Sequence, residues 1–125
     1  MKENEMKIEL KDNENIIKTI EDYAKENEIQ NALFLNAKGK IKDYEIISIE
    51  SKGSIGKTRL KTEQEIKAVS GKIEKTKDGK FNIYLRISLN STLTKNNSGQ
   101  LTDGKASGPL EIEIKKVDHK KMIIG

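Results

Sequence analysis

The decapeptide 81-FNIYLRISLN-90 restricts the possible folds more than any other part of this 125-residue chain. Its odd positions, Phe81, Ile83, Leu85, Ile87 and Leu89, are apolar; its even positions Asn82, Tyr84, Arg86 and Ser88 are polar or amphipathic. A period of two is the signature of a strand with one dry face and one wet face. Just upstream, 77-KDGK-80 separates this run from 66-IKAVSGKI-73. Asp78 and Gly79 both accept the positive φ of a tight turn, so the two runs are predicted to pair as an antiparallel hairpin. The wet face holds an oddity: Arg86 is one of two arginines among 24 Lys and Arg residues.

Around that hairpin the other segments fall into place. Met6, Ile8 and Leu10 alternate in a first strand. Asp12 or Asn13 can then cap a helix, because a side-chain oxygen there accepts from the free amides of the first turn. Ile16, Ile17, Ile20, Tyr23 and Ala24 recur at helical spacing, with Lys18, Glu21, Asp22, Lys25 and Glu26 opposite. Asn27 is the predicted end, since asparagine tolerates the left-handed cap conformation. The continuous apolar run 32-ALFL-35 predicts a strand buried on both faces, with Gly39 letting the chain turn after it. Ile41 to Ile49 is strand-like, and 51-SKGSIGKTRLK-61 reads as a polar connection. Residues 90–109 contain only Leu93, Leu101 and Ala106 as apolar members, which predicts a long loop with one short strand at 99-GQL-101. The run 110-LEIEIKKV-117 is a last strand. The tail 118–125 is expected to add an edge strand or to pack on a neighbouring subunit. One domain over 1–125 results, with a core of about 7–117. Its class is α+β: an antiparallel sheet of about six strands with one main helix packed on it.

Composition narrows the function classes. Zero cysteines exclude disulfides, thiolate metal sites and cysteine nucleophiles. No apolar run approaches the ~18–20 residues of a membrane span, and MKENEMKIEL has no signal-peptide core, so a soluble cytoplasmic protein is expected. Residues 1–50 hold 8 Lys against 12 Asp and Glu, whereas residues 51–125 hold 16 Lys and Arg against 8. A basic second half can attract nucleic acid, and Lys52, Lys57, Arg59 and Lys61, with Lys95 and Lys105, are its candidate contacts. The string 53-GSIGKT-58 is not a phosphate loop, because Ser51 stands where the first glycine of that motif must be. His119 is the sole histidine and cannot build a metal site alone. Asp43, Glu45 and Glu50 are expected on a solvated face. No motif gathers a nucleophile, a base and an orienting group, so no enzyme and no cofactor is expected.

The order of the pieces matters more than any one of them. A strand, a capped helix, 31-NALFLNAKGKI-41, 65-EIKAVSGKI-73, the hairpin, 85-LRISL-89, 98-SGQL-101 and the final 111-EIEI-114 follow one another. In that order the chain resembles the plants and prokaryotes conserved (PPC) domain from about Lys7 to Val117. In plants that domain is fused to AT-hook DNA-binding segments, and in prokaryotes it stands alone. The resemblance implies a non-enzymatic, homotrimeric protein of regulatory or DNA-associated function. It also places Tyr84, Arg86 and Gln100 at three positions where metal-holding family members carry histidine. A permanently charged arginine repels a divalent cation, so no metal is expected here. The alternative function is a polar pocket that uses Tyr84, Arg86 and Gln100 to bind a small anion.

Overall fold

A computed structural model describes residues 4–49, 53–90 and 97–117. Its elements are β1 (Glu5–Leu10), α1 (Ile16–Glu26), β2 (Asn31–Ile49), β3 (Ile55–Leu60), β4 (Gln64–Lys75), β5 (Phe81–Asn90) and β6 (Ser98–Lys116). The expected α+β class, six antiparallel strands and one helix, is what forms among the described residues.

Two 19-residue strands organise the sheet. β2 and β6 run antiparallel from Ala32 opposite Lys116 to Ile47 opposite Gln100, with register shifts that bend the ribbon. Gly39, at φ +138, lies in one shift, and Asp43, at φ +46, lies in another. The far edge of β2 pairs with β4 and then β3, while the far edge of β6 pairs with β1 and then β5. β4 and β5 pair with each other as the alternation predicts. The ladders therefore run β2 to β4 to β5 to β6 and back to β2, and the sheet closes on itself. One face of β1, β2, β4, β5 and β6 is turned inward, where Ile8, Leu10, Ile41, Ile46, Ile73, Leu85, Ile87, Leu101, Ile112 and Ile114 are buried. Each such side chain contributes roughly 1.5–3 kcal/mol relative to an exposed one.

The helix packs against β1, β5 and β6 and buries Ile16, Ile20 and Ala24. Its cap is Asn15, whose side chain accepts from the Lys18 amide at 2.9 Å, and not Asp12 or Asn13. Asp12 is used elsewhere: its carboxylate accepts from the Gly108 amide at 2.7 Å and from Lys42 Nζ at 3.0 Å. Those two bonds, Gly108 first, hold the Asp12 carboxyl below its ordinary value. Asn13 sits at φ +71, which suits a turn. Asn27 does end the helix, but at φ −101, with its side chain donating to the Tyr23 carbonyl; Glu28 takes the left-handed conformation instead.

Five further expectations are corrected. Residues 32–35 and 41–49 belong to one strand, because Gly39 is accommodated as a bulge and not as a turn. Within it Ala32 and Phe34 are buried, but Leu33 and Leu35 are each 39% exposed, so that run is not covered on both faces. Residues 55–60 are a strand and not a connection, paired with β2 from Tyr44 opposite Leu60 to Ile49 opposite Ile55. The stretch 98–109 is also strand, since β2 supplies ladder partners that its polar sequence does not advertise. At the hairpin only Gly79 has positive φ, at +86, and the Thr76 amide and Lys80 carbonyl close a wider turn than the tight one expected. The tail 118–125, with His119, lies outside the described residues, as does Glu50.

Three glycines are required by close approach, and a Cβ on Gly39 would lie 2.7 Å from the Pro109 carbonyl oxygen. A Cβ on Gly71 would lie 1.8 Å from the Tyr84 carbonyl oxygen, and one on Gly99 would lie 2.5 Å from the Ile47 carbonyl oxygen. Gly71 lets β4 lie close to β5, and Gly99 lets β6 lie close to β2. Gly79, by contrast, faces open space. Gly71→Ala is expected to cost well over the ~1–2 kcal/mol that positive φ alone imposes, whereas Gly79→Ala should cost about that much. Urea unfolding of the two variants checks this, and equal losses would contradict it.

Candidate functional site

Closure of the sheet leaves an outer face, and its geometry follows from the register. Arg86 pairs with Gln100 on one side and Ser70 on the other. Gln100 pairs with Ile47, and Ile47 with Lys57. One row thus crosses five strands in the order Lys57, Ile47, Gln100, Arg86, Ser70. Neighbours in it are one strand spacing apart, ~4.8 Å. Tyr84 lies two residues along β5 on the same face as Arg86, about 7 Å away. Its partner is Lys72, whose Nζ stands 5.7 Å from the ring centroid. The fold therefore brings together Tyr84, Arg86 and Gln100, the three residues singled out in the sequence. Tyr84 is 41% exposed, and Arg86 and Gln100 are exposed too.

Sequence reasoning did not find Ser70 and Lys72 as members of this face. The turn carried the signal, because pairing is symmetric about Asp78: Lys72 and Tyr84 are each six residues from it, Ser70 and Arg86 each eight.

The two arginines sit in opposite electrostatic surroundings. Arg59 donates to Asp103 from both terminal nitrogens at 3.2 Å and to Asp43 at 3.3 Å, and lies 3.8 Å from Glu45. Asp103, by its hydrogen bond, and then Asp43 raise the Arg59 pKa further above its ordinary value. Lys57 stands 4.0 Å from Glu45, and Lys105 3.8 Å from Asp43. Asp103 also accepts from the side chain of Asn15, which ties this cluster to the helix cap. Three cations thus face three carboxylates. Lys61 is exposed, and Lys52 and Lys95 lie outside the described residues. Arg86, in contrast, has no carboxylate within ion-pairing distance among the described residues. β5 contains no acidic residue at all, and 98-SGQLT-102 has none either.

This donor set does not fit a divalent metal ion. It offers a guanidinium, a neutral amide and a phenol, and no group of three or more His, Asp or Glu side chains suited to a metal occurs among the described residues. What it offers is hydrogen-bond donors: five N–H groups on Arg86, the amide of Gln100, and the hydroxyls of Ser70 and Tyr84. No helix among the described residues is long and apolar enough to cross a membrane.

A closed antiparallel sheet with one helix laid over it, and a polar face where β4, β5 and β6 meet, defines the class. Residues 2–118 match the model of the Plants and Prokaryotes Conserved domain, abbreviated PCC or PPC, and the chain belongs to that family. Among solved structures, a PPC protein from Pyrococcus horikoshii is similar at 19% identity and a TM-score of 0.74, covering 92% of this chain and 80% of its own. A metal-containing protein from Archaeoglobus fulgidus is similar at 20% identity and a TM-score of 0.74, with 90% and 78% covered. A candidate DNA-binding protein from Bacteroides thetaiotaomicron is similar at 17% identity and a TM-score of 0.77, with 93% and 80% covered. At these identities the likeness is one of fold. A comparison with curated protein sequences finds no match.

The Arg59 cluster is exposed, so salt should govern its contribution. Arg59→Ala is expected to lower the unfolding midpoint at low ionic strength and to lower it much less in 1 M salt. The same loss at both ionic strengths would show that packing, and not charge, is what Arg59 supplies.

Proposed function

We propose that this PPC domain is a non-enzymatic regulatory protein of the cytoplasm that acts as a homotrimer and touches DNA non-specifically through its basic surface. The observation that carries the self-association is the outward position of Leu33 and Leu35, each 39% exposed in β2. Leu33 and Leu35 stand two residues apart in β2, both turned outward. An apolar stripe of this kind is stabilised when a second copy removes it from water. A non-enzymatic role is supported by the chemistry present. Where a serine does meet a carboxylate, Ser107 donating to Glu63, that bond holds Glu63 below the ordinary carboxylate range, the opposite of what a general base needs.

The DNA part is supported by the Bacteroides thetaiotaomicron neighbour and by the positive excess of residues 51–125. Lys52, Lys61 and Lys95 are the proposed contacts, joined by Lys57, Arg59 and Lys105. Phosphates reach the last three only by displacing Asp43, Glu45 and Asp103, so affinity is low and falls steeply with salt. A second reading has its own support: Arg86, unlike Arg59, has no carboxylate partner among the described residues, which favours an anion at Tyr84, Arg86 and Gln100.

Light scattering should give a trimer for the native protein and a smaller species for the Leu33→Ser, Leu35→Ser double variant. A monomeric native protein would overturn the self-association. In fluorescence anisotropy, the logarithm of duplex affinity should fall linearly with the logarithm of salt concentration, with a slope of about −0.9 per phosphate neutralised. Absence of duplex binding at low salt would remove the DNA part.

A further inference from the structure

We propose that the outer face of β4, β5 and β6 is a phosphate-binding site built from Arg86, Lys72, Ser70 and Gln100. It deepens the second reading above and rests on it, by naming the class of anion. Three observations carry it.

The first is donor density. The Cα register sets Ser70, Arg86 and Gln100 side by side on three adjacent strands, each ~4.8 Å from the next. Donors spread over that width surround a tetrahedral group. A planar carboxylate needs only the guanidinium fork and would leave Ser70 and Gln100 unused.

The second is charge. Lys72 stands in the neighbouring row of β4, two residues from Ser70, with its Nζ 5.7 Å from the Tyr84 ring and 3.3 Å from Glu74. A dianion on Arg86 gains Lys72 as a second cation by displacing Glu74, which stands on the side of Lys72 away from Ser70. The nearest other acid to the row, Glu45, is taken up by Thr102 at 2.8 Å and by Arg59 at 3.8 Å. Glu45 is thus held by residues outside the site, and neither β5 nor 98-SGQLT-102 carries an acid to repel phosphate.

The third is rigidity. Gly71 and Gly99 flank the site in sequence, and their missing side chains let β4 approach β5 and β6 approach β2 at distances no Cβ permits. The donors are therefore held on strands that are fixed relative to one another, which lowers the ordering cost of binding.

A phosphate group can arrive free, as inorganic phosphate or a phosphomonoester, or as part of a nucleic-acid backbone. Two-dimensional NMR of the full-length protein at constant ionic strength separates these sources, with inorganic phosphate, acetate and a short DNA duplex as probes. The account predicts saturable shifts of the Arg86 Nε–H and the Gln100 side-chain amide with phosphate, and little change with acetate. Arg86→Ala should weaken phosphate binding about tenfold or more, as expected for loss of charge-assisted hydrogen bonds. Arg59→Ala, at an arginine that is also exposed but already paired, should bind phosphate like the native protein. Shifts at the same residues with the duplex but not with free phosphate would keep the phosphate site and assign it to nucleic acid. Equal shifts with acetate and phosphate would overturn the phosphate assignment while leaving an anion face. No response to any of the three probes, together with dissociation of the oligomer in Arg86→Ala, would overturn both and make Arg86 a partner for a carboxylate of another subunit.

Discussion

The β2–β6 ladder is the constraint from which the rest of the structure follows. The two strands stay paired from Ala32 to Ile47 with the help of bulges at Gly39 and Asp43, because a sheet that twists at a constant rate would splay its flanking strands. Bent in this way, the ribbon offers its two far edges to opposite ends of one hairpin, and β4 and β5 close the ring. Closure removes two of the sheet edges that would otherwise invite pairing with other chains. It also decides which residues face water, since one inward side per strand is fixed all round. Tyr84, Arg86 and Gln100 meet on the outside for that reason.

Charge is distributed over that outside in two ways. Around Arg59 each cation has a carboxylate beside it, and one of those carboxylates also bonds the helix cap residue Asn15. That region joins the β3 arm to the start of α1. Around Arg86 the carboxylates are missing from both flanking strands over the relevant stretch, and hydroxyl and amide donors take their place. Two arginines in one lysine-rich chain thus differ: one is neutralised within the fold, and the other has no carboxylate partner among the described residues.

Much of this was legible in the residues. The alternation in 81–90 and the Asp78-Gly79 turn give β4, β5 and their register, and the helical spacing of Ile16, Ile20 and Ala24 gives α1. The order of the motifs gives the family, and with it the three positions that converge. What was not legible depends on partners distant in sequence. Residues 98–109 look like a loop because glycine and small polar residues carry little strand preference of their own, and only β2 makes a strand of them. Leu33 and Leu35 look like core because an apolar run does not say which of its faces is covered. The pairing of Arg59 with Asp103 joins residues 44 apart, across strands whose contact no local pattern announces.

The central claim is that Arg86 is held ready for a phosphate and not for a carboxylate of the protein itself. A crystal structure of the protein grown in phosphate, or soaked with tungstate as an electron-dense phosphate mimic, tests it most directly. The account predicts density for a tetrahedral anion bounded by Arg86, Gln100 and Ser70, with Lys72 turned toward it. An aspartate or glutamate of a neighbouring subunit seated on the Arg86 guanidinium, with no anion beside it, would contradict the claim.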